Sequence, residues 1–421
     1  MSTASRALSK LGLGLTAVVG VYAVLLGVLL TPRMQRFALY ANKFNTLKWR
    51  DVHDGTPHGF ASNQVTPFNL STADGETLYA WHILPLDQYA RHEKAIRAEQ
   101  RPLDGPVPDF TQTTAFKVLR SNQPTPARVV VSFHGNAGHI AQGCRPATNR
   151  FMATQPNTHV FTIDYRGFGH STGHPTEAGL ILDGVSLVNY IVAVTQVPPE
   201  RVVILGQSLG TAVSAAVALY FADPSSDLIP HAVREAQPEP GTASPTTFAG
   251  VVLAAPFNSI PTLLLTYRIG GLLPLLLPLR PLPFAARLLT AKVTDKWPTA
   301  ERLRAYYYAL ESSPSLRNDA RALGSVQLIH ALNDADIPYH QTEMICRRIL
   351  DKRDSKSALQ DDEFEPRELI VGDKGAAALN VKREGFPTLR FELVEHGGHN
   401  HIITYSPVAL AVIKAFENLL D

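Results

Sequence analysis

Short, largely apolar runs recur along this chain, separated by longer stretches with helical spacing. The runs fall at 128–133, 158–163, 202–205, 250–254, 326–330 and 389–394, with helical segments near 176–195 and directly after Ser208. A run too short for a helix and bounded by glycine, proline or polar residues reads as a strand buried on both faces. Strands alternating with helices predict an α/β fold. Its sheet is expected to be largely parallel, with helices on both faces and functional groups at the carboxyl ends of the strands. Ahead of this region, 68–84 reads as two strands about the Ala73-Asp74-Gly75 turn, an antiparallel start to the sheet.

Two segments break the pattern. Residues 11–31 are uncharged and rich in Leu, Val, Gly and Ala, and they lie between Lys10 and Pro32-Arg33. The stretch is long enough to cross a bilayer. Its length, and the basic Arg33 and Arg36 that stand where a small-residue cleavage site would be, predict an uncleaved single-pass anchor in place of a removed signal peptide. The chain then divides into a tail at 1–10, the anchor, a linker at 32–64 and a folded domain over 65–421. Within that domain, 261–284 carries leucine too densely to be left in water, at roughly 25 cal/mol per Å² of apolar surface. Pro274, Pro278, Pro281 and Pro283, with Arg268 and Arg280, argue against a second span. This segment is expected within a cap at 258–300, either as an apolar lid resting on the bilayer or as helices packed on the core. Polar stretches at 87–127, 223–247 and 351–387 are expected to loop out as insertions, the first with a charged helical piece at 89–99.

Composition narrows the class. With 421 residues, 45% of them hydrophobic, the chain can bury an enzyme-sized core, and a net charge of +2 implies no nucleic-acid partner. Cys144 and Cys346 lie far apart and are expected to be buried free thiols. There is no phosphate loop, dinucleotide fingerprint, His-Glu-x-x-His helix or internal repeat, so no cofactor is expected.

Gly206-Gln207-Ser208-Leu209-Gly210 sits between an apolar strand and a small-residue helix, the form of a nucleophile elbow. A serine hydroxyl needs a base within hydrogen-bond reach, a group to orient that base and donors for the oxyanion. His134-Gly135-Asn136-Ala137-Gly138 ends a strand in a glycine-containing loop; the Asn136 amide there and the Leu209 amide at the start of a helix are the expected donors. For the base, His396, His399 and His401 all follow the last strand. His399 leads, because the Gly397-Gly398 pair before it allows a tight loop. Three histidines this close can also hold a metal, but no Cys or Glu stands at ligand spacing, and no metal is expected. For the acid, Asp334 and Asp336 compete after the run at 326–330. Asp164 and Arg166 are read as fixing a turn and ion-paired, and His134 as holding its loop.

The motifs just quoted, with Asp164-Tyr165-Arg166-Gly167-Phe168-Gly169, Ser171-Thr172-Gly173-His174-Pro175-Thr176-Glu177 and Ala255-Pro256-Phe257, resemble those of α/β-hydrolases. Within that superfamily they are similar to membrane-anchored lipases that cleave monoacylglycerols and lysophosphatidylserine. The resemblance runs from about residue 65 to the C-terminus. It implies an α/β-hydrolase fold with a cap and the chain order Ser208, Asp334, His399. It also favours Asp334, four residues before Pro338, over Asp336. The implied activity is hydrolysis of esters of single-chain lipids, and the implied partners are a lipid ester and the membrane, met by the anchor and a lid that admits an acyl chain. Closely similar motifs occur in acyl-protein thioesterases and serine peptidases, which are the alternatives within enzymes. A non-catalytic hydrolase-fold protein that binds lipid or partners is the rival class. For orientation, Arg33, Arg36, Lys43 and Lys48 outnumber Arg6 and Lys10, which points the domain to the cytosol. The resemblance implies the endoplasmic reticulum lumen. The sequon Asn69-Leu70-Ser71 fits the lumenal face, which is the expected side.

Overall fold

A computed structural model of the chain describes residues 3–44, 51–121, 125–236, 246–269, 273–274, 276–279, 281–311, 324–351, 369–371, 377–383 and 385–419. The hairpin expected at 68–84 is β1 (Val65–Ser71) and β2 (Thr77–Ile83). The apolar runs become β3 (Arg128–Phe133), β4 (Thr158–Ile163), β5 (Val202–Gln207), β6 (Gly250–Ala254), β9 (Ser325–Ala331) and β12 (Thr388–Val394). A small hairpin, β7 (Arg268–Ile269) and β8 (Leu273–Pro274), lies apart from them. With β10 (Leu369–Val371) and β11 (Ala377–Val381), the main sheet has ten strands in the order β1-β2-β4-β3-β5-β6-β9-β12-β11-β10. Pairing is parallel from β4 through β12 and antiparallel at both edges.

The apolar character of β3 to β6 makes sense once both faces are covered. Side chains alternate across a strand, so Val129, Val131 and Phe133 enter one core while Val130 enters the other. The first core is closed by α6 (Glu177–Tyr190), α7 (Leu209–Ala222), α11 (Thr299–Glu311) and α12 (His340–Leu350), the second by α5 (Arg145–Met152) and α14 (Ser406–Glu417). α6 runs on into a π-turn at Ile191–Thr195. The joined span is apolar and long enough for a membrane crossing, yet it is 61% buried here as a core helix.

Several boundaries differ from the sequence reading. The tail at 1–10 is helical from Thr3, because α1 runs over Thr3–Leu29; its described apolar stretch, Val19–Leu29, is shorter than a bilayer crossing. The linker at 32–64 is instead part of the fold. Pro32 starts α2 (Pro32–Tyr40), whose Tyr40 is fully buried, and Val52 and Phe60 pack in the second core. The stretch 87–127 is not a surface loop throughout. It carries α3 (Leu86–Ala98) and α4 (Thr114–Arg120), Val107 donates its amide to the Pro67 carbonyl, and Phe110 stacks on Phe68 at 4.8 Å. Its few apolar residues are spaced to cover the sheet edge, which average polarity conceals. In 223–247, α8 (His231–Glu235) buries Val233, while 237–245 lie outside the described residues. The stretch 351–387 adds β10 and β11 to the sheet, with Ala377 and Leu379 buried at a period of two; 352–368 lie outside the described residues. In the segment at 258–300, part packs on the core as one of its two readings expects. In α9 (Ile260–Leu264), Ile260 and Leu263 pack on the core. Around α10 (Pro283–Ala291), Leu282, Phe284 and Leu288 are exposed.

Candidate active site

Ser208 stands between the end of β5 and the start of α7 with φ 52° and ψ −120°, a left-handed conformation that side chains other than glycine rarely adopt. Its amide is held by the Ala254 carbonyl at 3.1 Å. The flanking glycines make the turn feasible. A Cβ on Gly206 would lie 2.5 Å from the Gly210 carbonyl oxygen, and one on Gly210 would overlap the Phe133 carbonyl. Strain and crowding together push the hydroxyl away from the sheet and into a cavity.

The residues expected to cooperate meet there. His399, at the start of α13 (Gly398–His401), places Nε2 3.0 Å from Ser208 Oγ, and its Nδ1 donates to Asp334 Oδ2 at 2.8 Å. The loop is reached because Gly397 and Gly398 both have positive φ, and the Gly398 amide donates to Asn333 Oδ1. Asp336, the other aspartate considered, supplies its amide to Asp334 Oδ1 at 2.9 Å, beside the Ile337 amide at 2.8 Å. His396 and His401 are exposed, and His396 faces Glu395.

Asp334 has a further partner that the sequence did not reveal. His330, on β9, is fully buried and turns Nε2 toward the Ile337 carbonyl at 2.9 Å and Asp334 Oδ2 at 3.2 Å. Both neighbours are acceptors, so this nitrogen carries the proton. Burial works to raise the Asp334 carboxyl, but donation from His330 and His399 overcomes it and holds the group well below the usual carboxylate range. Asp334 therefore stays charged and orients His399 as an acceptor toward serine.

The loop after β3 is built around Arg145. Its guanidinium donates to the carbonyls of Asn136 and Ala137 at 2.7 Å, of His139 at 2.7 Å and of Gly135 at 3.1 Å. Four carbonyls of the loop are thereby held by one side chain. Asn136 and Leu209 both line the cavity with Ser208, and neither backbone amide is engaged by another described backbone group. No sequence motif marks Arg145, because its role arises from where α5 begins. His134 holds the loop as expected, donating Nδ1–H to the Gly135 carbonyl at 2.7 Å, and burial keeps its imidazole well below the ordinary histidine range. Arg166 is ion-paired with Asp74 and Asp183. Asp164 is not its partner. It accepts the Ile140 and His170 amides, and burial pushes its carboxyl up to about 7. Both cysteines are free, Cys346 buried and Cys144 only half-buried.

The model of the Alpha/beta hydrolase family matches residues 129–412, more than half of the chain. The chain belongs to this family. Among curated relatives, the hydrolase is similar to protein bem46 of Schizosaccharomyces pombe, 35% identical over 121 residues that cover 29% of this chain and 40% of that one. It is also similar to human protein ABHD12B, at 38% over 23% of this chain and 25% of that one. A third relative is lysophosphatidylserine lipase ABHD12 of Danio rerio, at 29% over 38% and 36%. Matches of this kind span about a quarter to two fifths of the curated relatives. Among solved structures, an alpha-beta hydrolase from Vibrio vulnificus shares the fold with a TM-score of 0.51 at 12% identity, covering 92% of each chain.

The hydrolase's Asn136, Ser208, Leu209 and His399 form the floor of a cavity of about 650 Å³, the size of a pocket for one small organic ligand. Its walls are mostly leucine, isoleucine and phenylalanine from 257–264, α10 and the N-terminal helices, and the Asp336 carboxylate and Arg36 also border it.

Proposed function

We propose that this protein is a membrane-anchored serine hydrolase that cleaves carboxylic esters of single-chain lipids, with Ser208 as nucleophile, His399 as base and Asp334 as orienting acid. The observation that carries the reading is the Ser208–His399–Asp334 hydrogen-bond relay on the floor of an apolar cavity. As Ser208 Oγ attacks the ester carbonyl, His399 Nε2 takes its proton, and the charge on Asp334 stabilises the imidazolium. The Asn136 and Leu209 amides receive the oxyanion; a single such donor is worth about 10²- to 10³-fold in kcat. His399 returns the proton to the leaving alcohol. Water, deprotonated by the same histidine, then releases the fatty acid and restores the serine.

An apolar cavity with few polar groups supports one acyl chain more than a peptide, and the relationship to a lysophosphatidylserine lipase supports a lipid ester. Residues 11–31 would anchor the protein. The lumenal face of the endoplasmic reticulum is supported by Asn69, which is exposed on the edge strand β1 where a glycan fits. A mobility shift after glycosidase treatment is expected, and digestion of the domain by protease added to intact microsomes would refute the orientation.

Fluorophosphonate labelling of the detergent-solubilised protein tests the chemistry. Wild type should label, Ser208→Ala should not, and Asp334→Asn and His399→Ala should label far more slowly. Rates on monoacylglycerol, lysophospholipid and acyl-thioester substrates then test the class. Preference for the thioester would favour an acyl-protein thioesterase, and a folded wild type that does not label would favour a binding protein.

A further inference from the structure

The last turns of the N-terminal helix border the same cavity as the serine. Leu25, Leu26 and Leu29 of α1, with Leu30 just beyond it, line that space together with Leu39 of α2. Tyr22, Leu26 and Leu29 are half-buried at helical spacing, whereas Val21, Val24 and Val28 on the other side are exposed. One face of α1 is thus turned to the cavity and one away from it.

α2 then fastens this wall to the body. Arg36 pairs with Asp295 at 3.0 Å, Tyr40 donates its hydroxyl to the same carboxylate at 2.7 Å, and Gln35 bonds the Lys292 carbonyl and the Thr294 amide. These contacts tie α2 to the segment after α10, so the anchor and the cap close on each other above Ser208. A tether alone would require none of this. Leu282, Phe284 and Leu288 are exposed beside this wall, an apolar surface suited to hydrocarbon.

We infer that the C-terminal turns of α1, together with α2, form one wall of the acyl-chain site, so that the N-terminal helix is part of the substrate pocket as well as an anchor. The ligand is the single alkyl chain of the lipid ester, laid between Leu26 and Leu29 on one side and α9 and α10 on the other. A chain drawn from a bilayer beside α1 reaches the serine without crossing water. This rests on the reading of Ser208 as a nucleophile in a lipid esterase.

The test uses the full-length protein in detergent micelles and two hexadecyl fluorophosphonates, one carrying a diazirine at mid-chain and one at the chain tip. Ser208 Oγ displaces fluoride from phosphorus, which fixes the chain in place, and irradiation then crosslinks its tip and mid-chain contacts. Crosslinks are expected on residues 25–30 and 38–39. In parallel, Leu26→Trp and Leu29→Trp should each lower the ratio of kcat/KM for a hexadecanoyl ester to that for a butanoyl ester by about tenfold or more. Val24→Trp, on the far side of α1, should leave the ratio unchanged. Labelling of Ser208 with crosslinks confined to other segments, or an unchanged ratio in both tryptophan variants, overturns the inference while sparing the esterase reading. Absence of Ser208 labelling in folded protein overturns both.

Discussion

The Ala137 amide donates to the Tyr40 carbonyl at 2.9 Å, so the loop that presents the Asn136 amide is held from outside by the C-terminus of α2. The Asn136 side chain adds a second contact, to the Leu39 carbonyl at 3.3 Å. A segment that precedes the hydrolase sheet in the chain thereby supports the geometry of its reaction site.

Asp334→Asn keeps the shape of the relay but loses the charge and the acceptor that fix His399. The expected result is a fall in kcat of about 10⁴-fold on a soluble ester, with a lower thermal midpoint because the new amide faces the buried His330 N–H. Activity within tenfold of wild type would assign the acid role elsewhere, with Asp336 the next to test.

Arg145 acts through the loop carbonyls and touches no reacting atom. Arg145→Met should therefore lower kcat by about 10- to 100-fold with little change in KM, because the Asn136 amide is misplaced for the oxyanion and not for the bound ester. Arg145→Lys, which can still donate to some of the carbonyls, should recover part of the loss. A loss confined to the fraction of enzyme that titrates with fluorophosphonate, with kcat per titrated site unchanged, would mark a role in folding alone.

Asp295 receives Arg36 and the Tyr40 hydroxyl in a nearly buried position, and Tyr40 also accepts from Trp297 Nε1 at 3.3 Å. Tyr40→Phe removes a hydrogen bond to a charged group and should destabilise the protein by about 2 kcal/mol, read as a drop in the urea midpoint. Loss of α2 docking should also slow fluorophosphonate labelling, since α2 supports the loop.

Buried histidines govern part of the acid response. Burial pushes His139 down to about 4 and His159 to about 3, and lowers His82 and His134 well below their ordinary value. Each takes up a proton in the unfolded chain near pH 6.5 but stays neutral in the folded one, so their contribution is present above pH 6.5 and is lost as pH falls toward 3. Asp164, raised to about 7, works in the opposite sense as pH rises from about 4 to 7. To isolate one term, urea unfolding of wild type and His159→Leu is compared at two pH values. The stability of wild type relative to the variant should fall by about 2 kcal/mol between pH 7 and pH 5. A constant difference would show that His159 is not held neutral by its burial.

The parts that could be read directly from residues are those whose causes are local. A parallel strand covered on both faces is largely apolar, so β3 to β6 and β9 stand out as runs, whereas β12 alternates because one of its faces is only half-buried. The elbow at Ser208 needs glycine two residues to either side, and those glycines are written in the chain. Where the cause lies between distant segments, the letters are silent. Asp334 and His399 meet across 65 positions only because β9 and β12 are neighbours in the sheet. The choice between Asp334 and Asp336 depends on which carboxylate that register directs to the imidazole. Arg145 and His330 look like ordinary polar residues until folding surrounds them with carbonyls and a carboxylate. β11 hides in a polar stretch, since it buries only alternate residues. α2 reads as a linker for the same physical reason: its fixed position comes from Asp295 and the loop at Ala137, more than ninety residues away, and no property of its own nine residues encodes those partners.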